Sequence, residues 1–136
     1  MIGTYRSFKI DDAAGVTAFT AVVQGAADGG CKKPTAANAA GFLGFTTDDQ
    51  ATQNLAVAVK MDGIARARCK GAVAAGHWVN IGDNAGRVAD CQATVDAAPG
   101  TAAETNVIGK ALTSGAADDD QILVIIRDFA VQQAVT

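Results

Sequence analysis

The stretch Leu55-Ala56-Val57-Ala58-Val59-Lys60-Met61 alternates large apolar residues with small or polar ones, so Leu55, Val57, Val59 and Met61 share one face of an extended segment. A period of two does not suit a helix, where one face recurs every three to four positions. Asp62-Gly63 follows at once, a pair that tolerates positive φ and favours a two-residue turn. Beyond it Ile64-Ala65-Arg66-Ala67-Arg68-Cys69 alternates again. The pattern predicts a β-hairpin over 55–69, with Arg66 and Arg68 on one face of the second strand, read as a solvated face, the alternative being a patch that meets an acidic partner.

The segment 121–129 is different, because Ile122 to Ile126 are apolar on both faces. Such a strand is covered on both sides. One cover is expected to be the domain core and the other a neighbouring subunit, reached through Leu123, Ile125 and Arg127. Further strands are expected at 18–24, 41–46, 77–81, 87–94 and 106–113, with Gly82-Asp83-Asn84-Ala85-Gly86 as a turn. A short helix is expected over 34–40, where alanines supply propensity and Gly41 ends the run. Residues 47–54 fit a loop or a further helical turn. The first seventeen residues carry Tyr5, Phe8 and Ile10 between polar neighbours, then Asp11-Asp12-Ala13-Ala14-Gly15, and read as an extended arm over 1–17 attached to a β domain over 18–136.

Composition supports the strand reading. Val, Ile and Thr total 33 against 6 for Leu and Met, and 13 Asp stand against the lone Glu104, which favours strands and Asp-rich turns. Of the apolar residues 30 are alanine, so the core is thin or completed by another chain. At 136 residues the chain fits one compact soluble domain that buries roughly two-thirds of its unfolded surface. The expected fold is mainly β, a compact sandwich or barrel-like single domain with an extended N-terminal arm and at most one or two short helices.

Several functions lack their chemistry. A net charge of −3 and no basic run longer than Lys32-Lys33 give no footprint for nucleic acid. Apolar runs fall short of the ~20 residues a membrane helix needs, and residues 1–6 lack the charged-then-apolar start of a signal peptide. Neither nucleic acid nor membrane is therefore expected as a partner, and synthesis in a cytoplasm is. Cys31, Cys69 and Cys91 are too widely spaced for a CxxC pair and are expected to be reduced structural thiols. His77 is the sole histidine, and Ser7 and Ser114 sit in no nucleophile-elbow pattern. A Cys–His pair of His77 with Cys69 or Cys91 is the one enzymatic alternative, and nothing local predicts a depressed thiol pKa. Asp48-Asp49 and Asp118-Asp119-Asp120 lack the alternating ligand spacing and glycine bend of a calcium loop, and read as solvated loop acids. No phosphate-cradling glycine motif occurs. No catalytic residue, metal or cofactor is expected, and the chain is read as a non-enzyme.

The two halves resemble each other. Gly41-Phe42-Leu43-Gly44, an acidic loop and Leu55-Ala56-Val57-Ala58-Val59 match Asn106-Val107-Ile108-Gly109, an acidic loop and Ile122-Leu123-Val124-Ile125-Ile126. Val22-Val23-Gln24-Gly25 through Gly29 likewise match Val79-Asn80-Ile81-Gly82 through Gly86. Two β units, about 18–69 and 70–129, would fold into one body.

The run Gly71-Ala72-Val73-Ala74-Ala75-Gly76-His77-Trp78-Val79-Asn80-Ile81-Gly82-Asp83-Asn84-Ala85-Gly86-Arg87-Val88, with the later Ile108-Gly109-Lys110-Ala111-Leu112, the small-residue loop at Ala116-Ala117 and the strand at 122–126, resembles the bacteriophage capsid decoration, or head cement, proteins. The similarity spans roughly 62–128. It implies a β-tulip-type virion protein, assembled in the host cytoplasm, that binds the outer surface of an expanded icosahedral head. Its partners would be the major capsid protein, whose neighbouring subunits it clamps, and itself, as a homotrimer. Such work asks for a rigid β body and an arm that lies across a neighbour, here through Tyr5, Arg6, Phe8 and Ile10. Trp78 is read as a core plug. The alternative is another phage structural or glycan-binding β module, tail-associated, although 5% aromatic residues leave few for sugar platforms.

Overall fold

The computed structural model describes residues 4–97 and 104–131. Among them are ten strands, β1 (Tyr5–Ile10), β2 (Ala21–Gln24), β3 (Gly30–Lys32), β4 (Phe42–Thr46), β5 (Ala56–Lys60), β6 (Ile64–Arg68), β7 (Trp78–Ile81), β8 (Val88–Asp90), β9 (Thr105–Ala111) and β10 (Gln121–Val131), and one helical turn, α1 (Gln92–Val95). The first five strands close into a barrel in the order β1-β3-β2-β4-β5. The second five form a sheet in the order β6-β10-β9-β7-β8, whose two ends meet at a lone parallel bridge between Cys69 and Val88. The mainly β, single-domain architecture expected from the alternating pattern is the one observed.

The two sheets are one unit built twice. Ile10 pairs in parallel with Cys31 in the first, as Cys69 does with Val88 in the second. Arg6 opposes Val59 as Ala65 opposes Val124, and Thr46 opposes Val59 as Ala111 opposes Val124. Val22 opposes Gly44 as Val79 opposes Gly109, and both ladders slip at the next residue. The isolated bridges Val16–Gln50 and Val73–Gly115 also correspond. Gly44 and Gly109 show why the match is legible in sequence: a Cβ at either would run into a strand carbonyl, of Lys60 or of Ile125, so neither position admits a side chain. Val57 corresponds by register to Ile122 rather than Val124, two residues earlier than the sequence similarity suggests.

Four local expectations are corrected. Residues 5–10 are not an arm, because β1 lies between β5 and β3 and closes the barrel. Phe8 and Ile10 supply the barrel interior while Ser7 and Lys9 face outward, so a solvated barrel wall had the polar look of a detached segment. Second, β5 and β6 do not form a hairpin. Both edges of β5 are taken, by β1 and β4, and β6 pairs with β10. Asp62-Gly63 instead links the two units, with the Asp62 carboxylate accepting from Thr4 N and Oγ1 and the Gly63 carbonyl accepting from Ile126 N at 2.9 Å. The division between units therefore falls at this turn and not at 69–70. Third, no helix forms over 34–40, since Asn38 adopts φ 57° and turns its backbone toward the second unit. Fourth, the strand expected over 87–94 stops at Asp90, whose Oδ1 accepts from Gln92 N at 3.1 Å and starts α1.

Two cores follow from the duplication. The barrel interior holds Ile10, Val16, Val22, Cys31, Val57 and Val59. The larger core fills the second unit with Val79, Ile81, Val88, Ile108, Ile122, Val124 and Ile126, and also takes Ala21, Val23, Phe42 and Phe45 from the first. Strand β2 thus sends Val22 into its own barrel and its two neighbours across the junction, so the strand covered on both faces is β2. In β10 Ile122, Val124 and Ile126 are buried, while Leu123 and Ile125 are half-buried and Arg127 is exposed.

Candidate functional site

The junction between the units is held by apolar and polar contacts. Phe42 and Phe45 meet edge-on, with ring centroids 5.2 Å apart, and Phe45 is fully buried. Arg68 Nη2 donates to Thr20 Oγ1 at 3.0 Å and to the Ala85 carbonyl at 3.2 Å, while its Nη1 donates to Asp119 Oδ1 at 3.1 Å. Arg68 therefore joins loops of both units, and the solvated face expected for Arg66 and Arg68 belongs to Arg66 alone. Both Nη groups are paired, which offsets part of the cost of burying the guanidinium, while Nε is buried without a hydrogen-bond partner among the described residues.

Where the junction reaches the surface it opens into a cleft of about 280 Å³. Tyr5, Phe19, Phe45, Thr46, Thr47 and Lys60 line it from the first unit, and Ile64, Ala65, Arg66 and Leu123 from the second. Tyr5 is 54% exposed, and the Lys60 ammonium sits 5.2 Å from its ring centroid. Of the residues expected at a capsid contact, Tyr5 and Arg6 reach the surface, Phe8 is half-buried, and Ile10 is sealed in the barrel and can touch no partner. Sequence reasoning missed Phe19, Lys60 and Thr47, which lie in segments with no common motif.

The outer face of the second sheet carries the row Trp78, Lys110, Ile125 and Ile64, set side by side by strand register, with Leu123 opposite Arg66 in the next pair. Trp78 is half-buried here rather than a core plug. Its ring meets Phe129 edge-on at 5.2 Å and Lys110 Nζ lies 5.0 Å from its centroid. The expected interface residues Leu123, Ile125 and Arg127 thus lie on or beside this face, and Tyr5 and Leu123, far apart in sequence, share one cleft.

The sole histidine, His77, is engaged by a carboxylate. His77 Nδ1 lies 2.7 Å from Asp90 Oδ2, which also accepts from Ala74 N. Burial opposes the charged form of Asp90, but hydrogen bonds from Gln92 and Ala74 backbone N–H groups and from His77 outweigh it and hold the carboxyl below its ordinary range. Among the described residues no serine or cysteine side chain hydrogen-bonds to His77, and Ser114 Oγ accepts from Ala75 N. All three cysteines are free and buried. Burial, with Asp90 adding, pushes the Cys91 thiol up to about 11, which opposes thiolate chemistry. Asp118 and Asp119 are not simply solvated: Asp118 accepts from Gly71 N and pairs with Lys70 and Arg87, and Asp119 pairs with Arg68 and Arg87. Asp120 Oδ2 accepts from Ala116 and Ala117 N, a loop function that leaves no ligand cluster. Among the described residues no three His, Cys, Asp or Glu side chains gather where they could hold a metal ion.

Fold and surface together define a tandem-duplicated β domain whose distinctive chemistry lies in an inter-unit cleft and a half-exposed apolar sheet face. Among solved structures, the chain is similar to the head fiber gp8.5 N base in bacteriophage phi29, with a TM-score of 0.63 and 12% sequence identity over 93% of this chain and 95% of that one. No protein-family model and no curated protein matches the sequence.

Proposed function

We propose that this chain is a non-catalytic structural protein of a bacteriophage head, which binds the outer surface of the expanded shell and clamps neighbouring major capsid subunits. The observation that carries the reading is the fold shared almost end to end with a head fiber base. The compact duplicated β body, one sheet of which closes into a barrel, supports the same reading. Contact with the shell falls to the Tyr5 and Arg6 edge of β1. Self-association as a homotrimer falls to Ile125 and Arg127 with the neighbouring Phe129, which is 38% exposed. Affinity for the expanded shell alone would stabilise that state, since a ligand shifts an equilibrium only through its difference in affinity.

The test is co-sedimentation of the purified protein with unexpanded and expanded empty heads of its source phage. Saturable binding to expanded heads alone is expected, and binding to neither overturns the reading. The pairing of half-buried Trp78 with exposed Phe129 favours a second reading, a tail-associated glycan-binding module. Binding to a glycan array that is lost in Trp78→Ala, without binding to heads, would select it.

A further inference from the structure

We propose that the cleft between the two units is a recognition site for an extended acidic segment of a partner protein that inserts one apolar side chain. Its size sets the first limit. At about 280 Å³ it lies near the small end of the ~300–1,000 Å³ typical of small-molecule pockets, and suits a single aromatic or branched side chain. Three aromatic residues, Tyr5, Phe19 and Phe45, with Ile64 and Leu123, provide its apolar lining.

Charge sets the second limit. Lys60 and Arg66 line the cleft with Thr46 and Thr47, and no carboxylate does. Among the described residues neither cation has a carboxylate within ion-pair distance, although the chain as a whole carries an excess of acid. The acid near Lys60, Asp62, is held by Thr4. Lys60 rests on the Tyr5 ring, and Arg66 reaches Gln121 Oε1 at 3.5 Å. Two cations with no carboxylate partner among the described residues, beside an apolar slot, match a side chain flanked by Asp or Glu.

Phe19 supplies a third observation. It adopts φ 63°, a conformation that bulky residues rarely take, and its N–H donates to the Thr46 carbonyl at 2.8 Å. The matching position in the second unit is Gly76, with φ 86° and its N–H on the Ala111 carbonyl at 2.7 Å. The fold asks for glycine there, and the unit that lines the cleft carries an aromatic ring instead. Strain retained at one copy of a duplicated turn marks a position kept for its side chain.

The segment's ligand chemistry stands on the cleft itself. We take the partner protein to be a subunit of the head shell, which rests on the function proposed above. The probe is the capped tripeptide acetyl-Asp-Phe-Asp-amide, titrated into the full chain at millimolar concentration and followed by backbone amide NMR shifts. Saturable shifts are expected at Tyr5, Thr47, Ile64, Arg66 and Leu123, weakened about tenfold or more in Lys60→Gln/Arg66→Gln, as loss of charge-assisted hydrogen bonds requires. Phe19→Gly should weaken them too while keeping the fold. No saturable shift, equal binding of acetyl-Lys-Phe-Lys-amide, or undiminished binding by the double variant overturns the inference. Wild type and double variant sedimenting equally with heads would remove the cleft from shell recognition and leave head binding standing. Peptide binding without head binding would do the reverse.

Discussion

Asn106 donates twice to Asn38, from its backbone N to Asn38 Oδ1 at 2.8 Å and from its Nδ2 to the Asn38 carbonyl at 2.9 Å. Asn38 Nδ2 in turn donates to the Glu104 carbonyl at 2.7 Å, and Asn38 N to the Ile81 carbonyl at 2.7 Å. One residue in the 34–40 loop of the first unit thereby satisfies backbone on two strands of the second. Its left-handed φ suits asparagine better than most residues. Asn38→Ala should lose about 2–4 kcal/mol of stability, from unpaired polar groups plus the strained φ, and Asn38→Gly somewhat less because the backbone is then at ease. Urea denaturation of the two variants checks the order; equal stability to wild type would refute the stitch.

Phe45 fills the junction from the barrel side and is fully buried among residues of both units. Phe45→Ala should cost about 3–5 kcal/mol, the range for truncating a buried phenylalanine. By contrast Leu55, 51% exposed, should tolerate alanine within about 0.5 kcal/mol. Thermal unfolding of both variants tests the contrast.

Stability should fall in acid. Burial works against the charged form of Asp83, but the side-chain and backbone hydrogen bonds of Arg87, its charge, and Ala85 N prevail and lower the carboxyl pKa from 3.8. Asp90 is lowered as well. Groups lowered on folding stabilise the protein fully above their unfolded pKa, and that contribution is lost as pH drops through the folded value. Stability measured by denaturant titration should therefore show no loss from these two groups between neutral pH and about pH 5, and decline below about pH 4. Asp83→Asn should flatten part of that decline. A decline of unchanged steepness in the variant would contradict the assignment.

Thiol chemistry should be silent in the folded state. Burial, with Asp11 and Asp12 adding, pushes Cys31 up to about 11, Cys91 is raised to a similar value, and burial with Asp120 raises Cys69. Iodoacetamide at neutral pH should leave all three unmodified in native protein and label all three in denaturant, as read by mass spectrometry. Rapid native labelling of Cys69 or Cys91 would revive a Cys–His pair with His77.

Much of the fold was legible because period-two alternation reports which face a strand buries. The segments around β5 and β6 show this directly, and the steric demand for glycine at Gly44 and Gly109 made the duplication visible. Strand partners were not legible. A turn such as Asp62-Gly63 fixes how the backbone bends, and the next strand goes wherever an unpaired edge and an uncovered apolar face are available. With β1 and β4 on both edges of β5, that place was β10. β1 itself was hidden because its outward residues are polar and its register depends on a strand some fifty residues later.

The candidate site divides the same way. Tyr5 and Leu123 stood out singly as apolar residues without an evident place in the core, whereas Phe19, Lys60 and Arg66 join them only after both units have folded and docked. The sequence by itself determined a β protein, its approximate strands and its repeated halves, because these depend on local sterics and residue chemistry. Tertiary structure alone decided which strands pair, which face of β2 crosses the junction and which cations share a cleft, because those outcomes depend on competition among distant edges for the same buried surface.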